Sequence, residues 1–319
     1  MTQRARAAFA AMSVLWGVSY LLIRISVRGG LTAPDVAWLR VSIAAVLLMA
    51  LAWRAGALPA LRGRGRWLLA YAVAEISIPF PLIAAGEVHV ASSLAAIIIA
   101  AVPLIGAVLA LRFDHAERPT PVRALGLLIG FSGVITLVGV DVAGSGPELL
   151  GAGAILVAAV GYAIGPMLVK HRLAGLDPRA LMGASLSLAA LILTPFAALD
   201  LPRRMPSAGG LSAVAALGLF CTAAAFVIFT VLIREAGTSR ATVITYVNPV
   251  IAVALGVTLL GERPGAGAVA GLLLILAGSW LSTGGRIPPL TGWTGRPTRR
   301  AGTPGEPRSG HRPADVNGV

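Results

Sequence analysis

Charge is scarce in this chain, and cysteine and lysine nearly absent. Only 12% of its 319 residues are charged, where a soluble domain carries about 25%, so a water-soluble globule is excluded. The single cysteine, Cys221, cannot form an internal disulfide, and no CxxC or CxxH spacing offers a metal knuckle. The four histidines, His89, His115, His171 and His311, are scattered through loops and tail, so no ligand cluster forms. Neither GxxxxGK[ST] nor a GxGxxG between strand and helix occurs, which removes the phosphate cradle an ATP-driven pump needs. No cofactor is implied. A net charge of +13 raises nucleic acid as a partner, but no basic stripe interleaves with stacking aromatics, so nucleic-acid binding is set aside.

What fills the chain instead is hydrocarbon. Hydrophobic residues make up 57% of it, and mean hydropathy is +0.85. They come in runs of about 20, the length that crosses a bilayer as a helix. The pattern predicts an all-α polytopic membrane protein with ten transmembrane helices near 7–27, 34–53, 67–85, 91–111, 122–140, 149–169, 179–199, 211–233, 240–260 and 266–283. The first run follows Arg4 and Arg6 without a cleavage site in a polar flank, and reads as a retained helix. Residues 285–319 are rich in Gly, Pro and Arg with little apolar surface to bury, which predicts a disordered cytoplasmic tail.

Lys and Arg set the orientation. With the N-terminus inside, the inner loops and tail hold 20 of the 26 basic residues, the outer loops hold Arg28, Arg203, Arg204 and Arg263, and Arg24 and Arg40 lie within spans. Both termini are therefore expected in the cytoplasm. Arginine outnumbering lysine 25 to 1, with abundant Ala and Gly, is the composition of a GC-rich bacterial genome. A bacterial plasma (inner) membrane is therefore the expected location.

The two halves resemble each other. Glu117, Arg118, Pro119, Gly126 and Gly133 recur 145 residues later as Glu262, Arg263, Pro264, Gly271 and Gly278, while Pro103 and Pro249, and Trp16 and Tyr162, are 146 apart. The expected units are 7–140 and 149–283, each of five helices. An odd number makes the second unit enter the membrane in the opposite sense. Inverted repeats are the hallmark of secondary transporters, which hold substrate near the midplane where the halves meet.

Particular stretches carry a family resemblance: "LWGVSYLLIR" in the first span, "WLR" in the second, and "GTSRATVITYVNPVIAVALGVTLLGERP" with the glycine-rich helix after it. On these the chain resembles the EamA-type transporters of the drug/metabolite transporter superfamily over roughly 7–283. It departs from the family pattern at Tyr162-Ala163, where Trp-Ala is common, and at Val247-Asn248-Pro249, where Leu-Glu-Pro is commoner. Asn248 thus removes a carboxylate, and no acid's role transfers there. The resemblance implies a ten-helix carrier, gradient-linked or facilitative, exporting a small metabolite, amino acid or drug-like compound. Protons are its candidate coupling ion and the lipid bilayer its surroundings. The rival readings are an integral-membrane enzyme, for which no HxxxxD motif, paired aspartates or metal set appears, and a non-transporting membrane sensor or scaffold.

Within the spans, Glu75 reads as the one acid near a helix centre, and intramembrane acids mark substrate or proton paths. It is the candidate proton-coupling residue, with a static ion pair to Arg40 as the alternative. Arg40 could equally fork onto a substrate carboxylate. Arg24 is expected to reach the headgroups. Trp16, Tyr20, Phe80, Tyr162, Phe226 and Tyr246, with Ser77 and Asn248, are candidate substrate-binding residues, against core packing. Pro79, Pro81, Pro103 and Pro249 are candidate helix hinges, against packing kinks. The small-residue helices 126–139 and 267–278 suggest close packing, including at a homodimer interface. Glu262 is expected to pair with its neighbouring arginine or cap the helix that follows it.

Overall fold

The computed structural model describes residues 2–113, 120–142, 145–202, 204–236 and 243–282. The Glu117-Arg118-Pro119 triplet, Arg203 and the tail lie outside the described residues. Within them the chain is helical, and no strand occurs. Its helices are α1 (Gln3–Arg28), α2 (Ala33–Arg54), α3 (Gly65–His89), α4 in two pieces (Ser92–Ile99 and Val102–Phe113), α5 (Pro121–Asp141), α6 (Gly146–Arg172), α7 (Pro178–Leu199), α8 (Ala208–Ala236), α9 (Ile244–Leu260) and α10 (Ala266–Ser282). Eight of these described helices, α1 to α8, are long and apolar enough to cross a membrane; α9 and α10 are apolar but shorter.

Local sequence explains where helices begin. Thr32 caps α2 through a reciprocal box with Asp35, after which Pro34 sets the first turn. At the matching point 145 residues on, Asp177 caps α7 by accepting from the Arg179 amide at 2.8 Å. Hydrogen bonding from the Arg179 side chain also lowers the Asp177 carboxyl to about 2.

Helix pairs repeat the same geometry. Trp38 donates to Thr194 at 3.0 Å near one end of α2, and Gly183 backs onto Leu48 and Met49 near the other. The two helices therefore run antiparallel. So do α5 and α10: Gly126 faces Gly278 and Ser282, Gly133 faces Gly271 and Ile275, and Asp141 accepts from the Gly267 and Ala268 amides that open α10. A Cβ on Gly126 would stand 2.8 Å from the Gly278 carbonyl oxygen. Gly126 and Gly133 thus close on Gly278 and Gly271 within one chain, the close packing expected of 126–139 and 267–278. The faces turned outward are apolar: Val46, Leu128, Ile135 and Leu191 are each 71% exposed, which suits hydrocarbon and not water.

The helices differ from their sequence-based bounds in one consequential place. The third was expected to end near residue 85, but α3 continues to His89 and carries Glu87 into the bundle. Pro79 and Pro81 do not break it. A π turn, Val73–Ser77, precedes Pro79 and absorbs the mismatch, and the helix resumes at once. In α8 a second π turn, Leu219–Ala224, occupies the corresponding place. Ser77 donates to the Ala72 carbonyl and Thr222 to the Leu217 carbonyl, each five residues back and 145 apart from one another. Pro103 follows an interruption of α4 at Ala100 and Ala101, whereas Pro249 lies inside an unbroken α9.

Candidate functional site

Arg40 is the centre of the buried polar chemistry. It sits in the second turn of α2 and is only 8% exposed. Its Nε donates to the Thr222 hydroxyl in the α8 π turn at 2.8 Å. Its guanidinium carbon lies 4.0 Å from the centre of the Phe80 ring on α3, a cation–π stack strengthened by the lack of water. Phe80 in turn meets Tyr162 of α6 edge-on at 6.5 Å. Tyr20 of α1 completes the cluster, within electrostatic reach of Arg40, Tyr162 and Glu87. Five helices, three from the first half and two from the second, converge on one cation.

The ion pair between Glu75 and Arg40 does not form. Glu75 points instead at α6, where a Cβ on Gly165 would collide with its carboxylate. Its Oε2 is buried without a hydrogen-bond partner. Among the described residues no carboxylate lies within ion-pair distance of Arg40. The reason is geometric: Glu75 and Phe80 leave α3 on different faces, the acid toward Gly165 of α6 and the ring toward the guanidinium.

The other expected binding residues divide. Trp16 packs on Phe226 at 6.4 Å and on Phe229 at 5.2 Å, beside the apolar cluster of Met12, Leu232 and Ile244. Tyr246 and Asn248 belong to α9, which lies against α1 where Gly17 meets the Asn248 carbonyl and Ile251. The Asn248 side-chain oxygen is buried without a partner. Arg40, Phe80, Tyr162 and Tyr20 form one group, and Phe226, which packs against the cluster holding Phe80 and Tyr162, links it to Trp16. A groove of about 570 Å³, lined by Trp38, Ser42, Met49, Trp53, Leu191 and Thr194, runs between α2 and α7 away from Arg40. Arg40 and Phe80 are themselves buried.

Two further acids are buried or bonded otherwise than the sequence suggests. Glu87 is 0% exposed with neither carboxylate oxygen hydrogen-bonded; it lies two residues beyond the end expected for its span. Glu262 neither pairs with Arg263 nor caps α10. It reaches across to α4 and accepts from the Ser92 amide and hydroxyl, both at 2.8 Å, and from the Ser93 amide at 2.9 Å. Partial burial works against its charge, but these bonds from Ser93 and Ser92 prevail and hold the carboxyl below its ordinary range. Arg24 also turns inward, its Nη1 donating to the Val90 carbonyl at 3.0 Å. Among the described residues, no group of three or more His, Cys, Asp or Glu could hold a metal.

The EamA-like transporter family matches this sequence twice, over residues 5–139 and 149–284. The chain belongs to that family. Similar proteins include an "Uncharacterized transporter" of Archaeoglobus fulgidus, 27% identical over 275 residues, covering 83% of this chain and 94% of the relative. The "Uncharacterized inner membrane transporter YedA" of Escherichia coli K12 is 31% identical over 269 residues, covering 79% and 81% of the two chains. A solved structure titled only "Crystal structure of protein" superposes with TM-score 0.63 at 19% identity, over 89% of this chain and 97% of its own. That last likeness speaks for the fold alone. The chain is accordingly a multi-pass membrane transporter.

Proposed function

We propose that this protein is a ten-span secondary-active or facilitative exporter of a small metabolite, amino acid or drug-like compound, working by alternating access between two inverted five-helix units, 7–140 and 149–283. The observation that carries this reading is Arg40: a buried cation on the seam between the units, held by a hydroxyl from one and a ring from the other. A charge without a carboxylate partner is costly in a membrane interior. It is the group that a substrate's carboxylate or phosphate would complete, entering between Phe80, Tyr162 and Tyr20. The double family match and the antiparallel pairs α2–α7 and α5–α10 support inversion, which lets the halves exchange conformations. The bias of basic residues supports cytoplasmic termini, and the relative YedA an inner-membrane location. Glu75, buried against Gly165 beside the α3 π turn, is the candidate to bind a coupling proton, with Pro79 and Pro81 bounding the segment that would pivot.

The test compares extracellular metabolites of cells expressing the wild type, R40Q or no protein. The reading expects compounds that accumulate outside only with the wild type, and expects them to be anions or zwitterions. Identical profiles in all three, with the protein present in the membrane, would overturn it.

A further inference from the structure

Glu87 is a fully buried carboxylate that the packing of the fold does not call for. The π turns put the halves in register at 145 residues, Ser77 matching Thr222 and Ala72 matching Leu217. At that offset Glu87 corresponds to Leu232, which is also 0% exposed. Where one half fills this place with a leucine, the other buries an acid, so shape alone is satisfied by hydrocarbon. Burying a carboxyl whose two oxygens have no donor is expensive and demands a chemical reason.

Its surroundings supply one. Within electrostatic reach of it are Arg24 and Tyr20 of α1, Arg40 of α2 and, in the loop between α9 and α10, Glu262. The start of α4 brings Ser92 and Ser93, both already bonded to Glu262. Helix α6 meets this turn of α3 with Gly151 and Ile155, which carry no charge. On α3 itself, His89 is exposed and Glu75 stands twelve residues back, roughly 18 Å along the helix. Arg24 is the pivotal neighbour. Its Nη1 is spent on the Val90 carbonyl, while its Nε is buried with no partner. A cation with an unused donor is thus anchored three residues beyond an acid with two unused acceptors, yet the two are not joined.

We propose that Glu87 is a second proton-binding carboxyl of the transport cycle, placed in the last turn of α3 while Glu75 lies near the middle of that helix, with Arg24 as a counter-ion it gains when ionised and releases when protonated. The step is a simple transfer. An O–H bond forms on a Glu87 oxygen with a proton from the outer water and breaks when that proton leaves. The gradient supplies the driving force, and no redox partner takes part. In the proposed cycle Arg24 keeps its bond to the Val90 carbonyl while Glu87 is protonated, and on ionisation its Nε and the carboxylate pair. This rests on the transport reading above and names its coupling chemistry.

The test is infrared spectroscopy of the full-length protein in lipid, following the carbonyl stretch of protonated carboxyl groups from acid to alkaline pH. Three variants join the wild type: E87Q, E87L (the leucine of the matching position) and R24Q. The expected result is that E87Q and E87L fold and both lack one band that titrates in the wild type. R24Q should keep that band but hold its proton to higher pH, since the cation favouring ionisation is gone. In the cell comparison, the wild-type extracellular profile should depend on medium pH and that of E87Q should not. A flat difference spectrum between wild type and E87Q overturns the proposal, as does failure of either variant to fold, which would make the carboxyl structural. An unchanged pH response in E87Q cells overturns it too. The spectra need no transported compound, so absence of export in the wild type would sink the transport reading and leave the titration standing.

Discussion

Replacing Gly133 by alanine adds one methyl group where α5 touches α10. The new Cβ would stand 2.7 Å from the Leu274 Cβ, 2.8 Å from the Gly271 carbonyl oxygen and 2.9 Å from the Ile275 amide nitrogen. Two of these are backbone atoms of a helix, which cannot rotate aside, so the helices must separate. Overpacking of this kind costs about 1–3 kcal/mol. Alanine returns about 0.5–1 kcal/mol of helix propensity, leaving a net loss of roughly 1–2 kcal/mol. Gly139, on the same helix with nothing within 4 Å of its would-be Cβ, is the control. There only the propensity gain operates, and G139A should be neutral or slightly stabilising. Thermal unfolding in detergent should lower the G133A midpoint by on the order of 2–5 °C and leave G139A at or above the wild type. Equal midpoints for G133A and G139A would refute the close antiparallel contact, and with it the claim that these glycine faces meet within one chain.

Two other perturbations test the buried polar contacts. T222V removes the acceptor of Arg40 and the hydroxyl that donates to the Leu217 carbonyl; a cation left without its acceptor costs about 2–3 kcal/mol, T222S should restore most of it, and a T222V midpoint equal to that of the wild type would refute the contact. E262Q weakens the hold on the start of α4 by about 1–2 kcal/mol at neutral pH, the figure reduced for partial exposure. Because the folded carboxyl ionises more readily than an unfolded one, its contribution is whole above the ordinary carboxylate range and fades as pH falls through the lower, folded value. Wild-type and E262Q midpoints should therefore converge in acid, and a gap that persists there would contradict the assignment.

The helical class and most spans were legible because they depend on run length and hydropathy, which sequence displays directly. The repeat was legible because glycine, proline and the E-R-P triplet recur at fixed offset. The acids were less so. Glu87 and Glu75 differ by one coarse reading of where a helix stops, and helix ends are set by capping and packing, not by hydropathy. That Glu262 would reach Ser92, 170 residues away, could not be read from its neighbours Arg263 and Pro264, since the partner is fixed by how α4 and α9 pack. The expectation that Arg40 pairs with Glu75 used helix rise alone. A π turn changes which face points where, and nothing in "VAEIS" announces one.

The π turns nonetheless leave a trace that only comparison of the halves exposes. A π turn replaces i→i−4 bonds by longer ones and disturbs neighbouring carbonyls. Ser77 and Thr222 each return a hydroxyl to the carbonyl five residues back. Two short hydroxyl side chains at matching places in otherwise apolar helices are the signal. From there the halves part company. At the position matching Arg40, the second unit has Ser185, which is 0% exposed with its hydroxyl unpartnered. A guanidinium spans from α2 to the Thr222 oxygen, whereas the hydroxyl of a serine is too short to make the corresponding reach to Ser77. The scaffold is therefore near-symmetric while the charge comes from one side only. Under the alternating access proposed above, backbone symmetry would serve a cycle in which two units trade conformations, while asymmetric side chains would let the same seam present one cation and choose among solutes by charge.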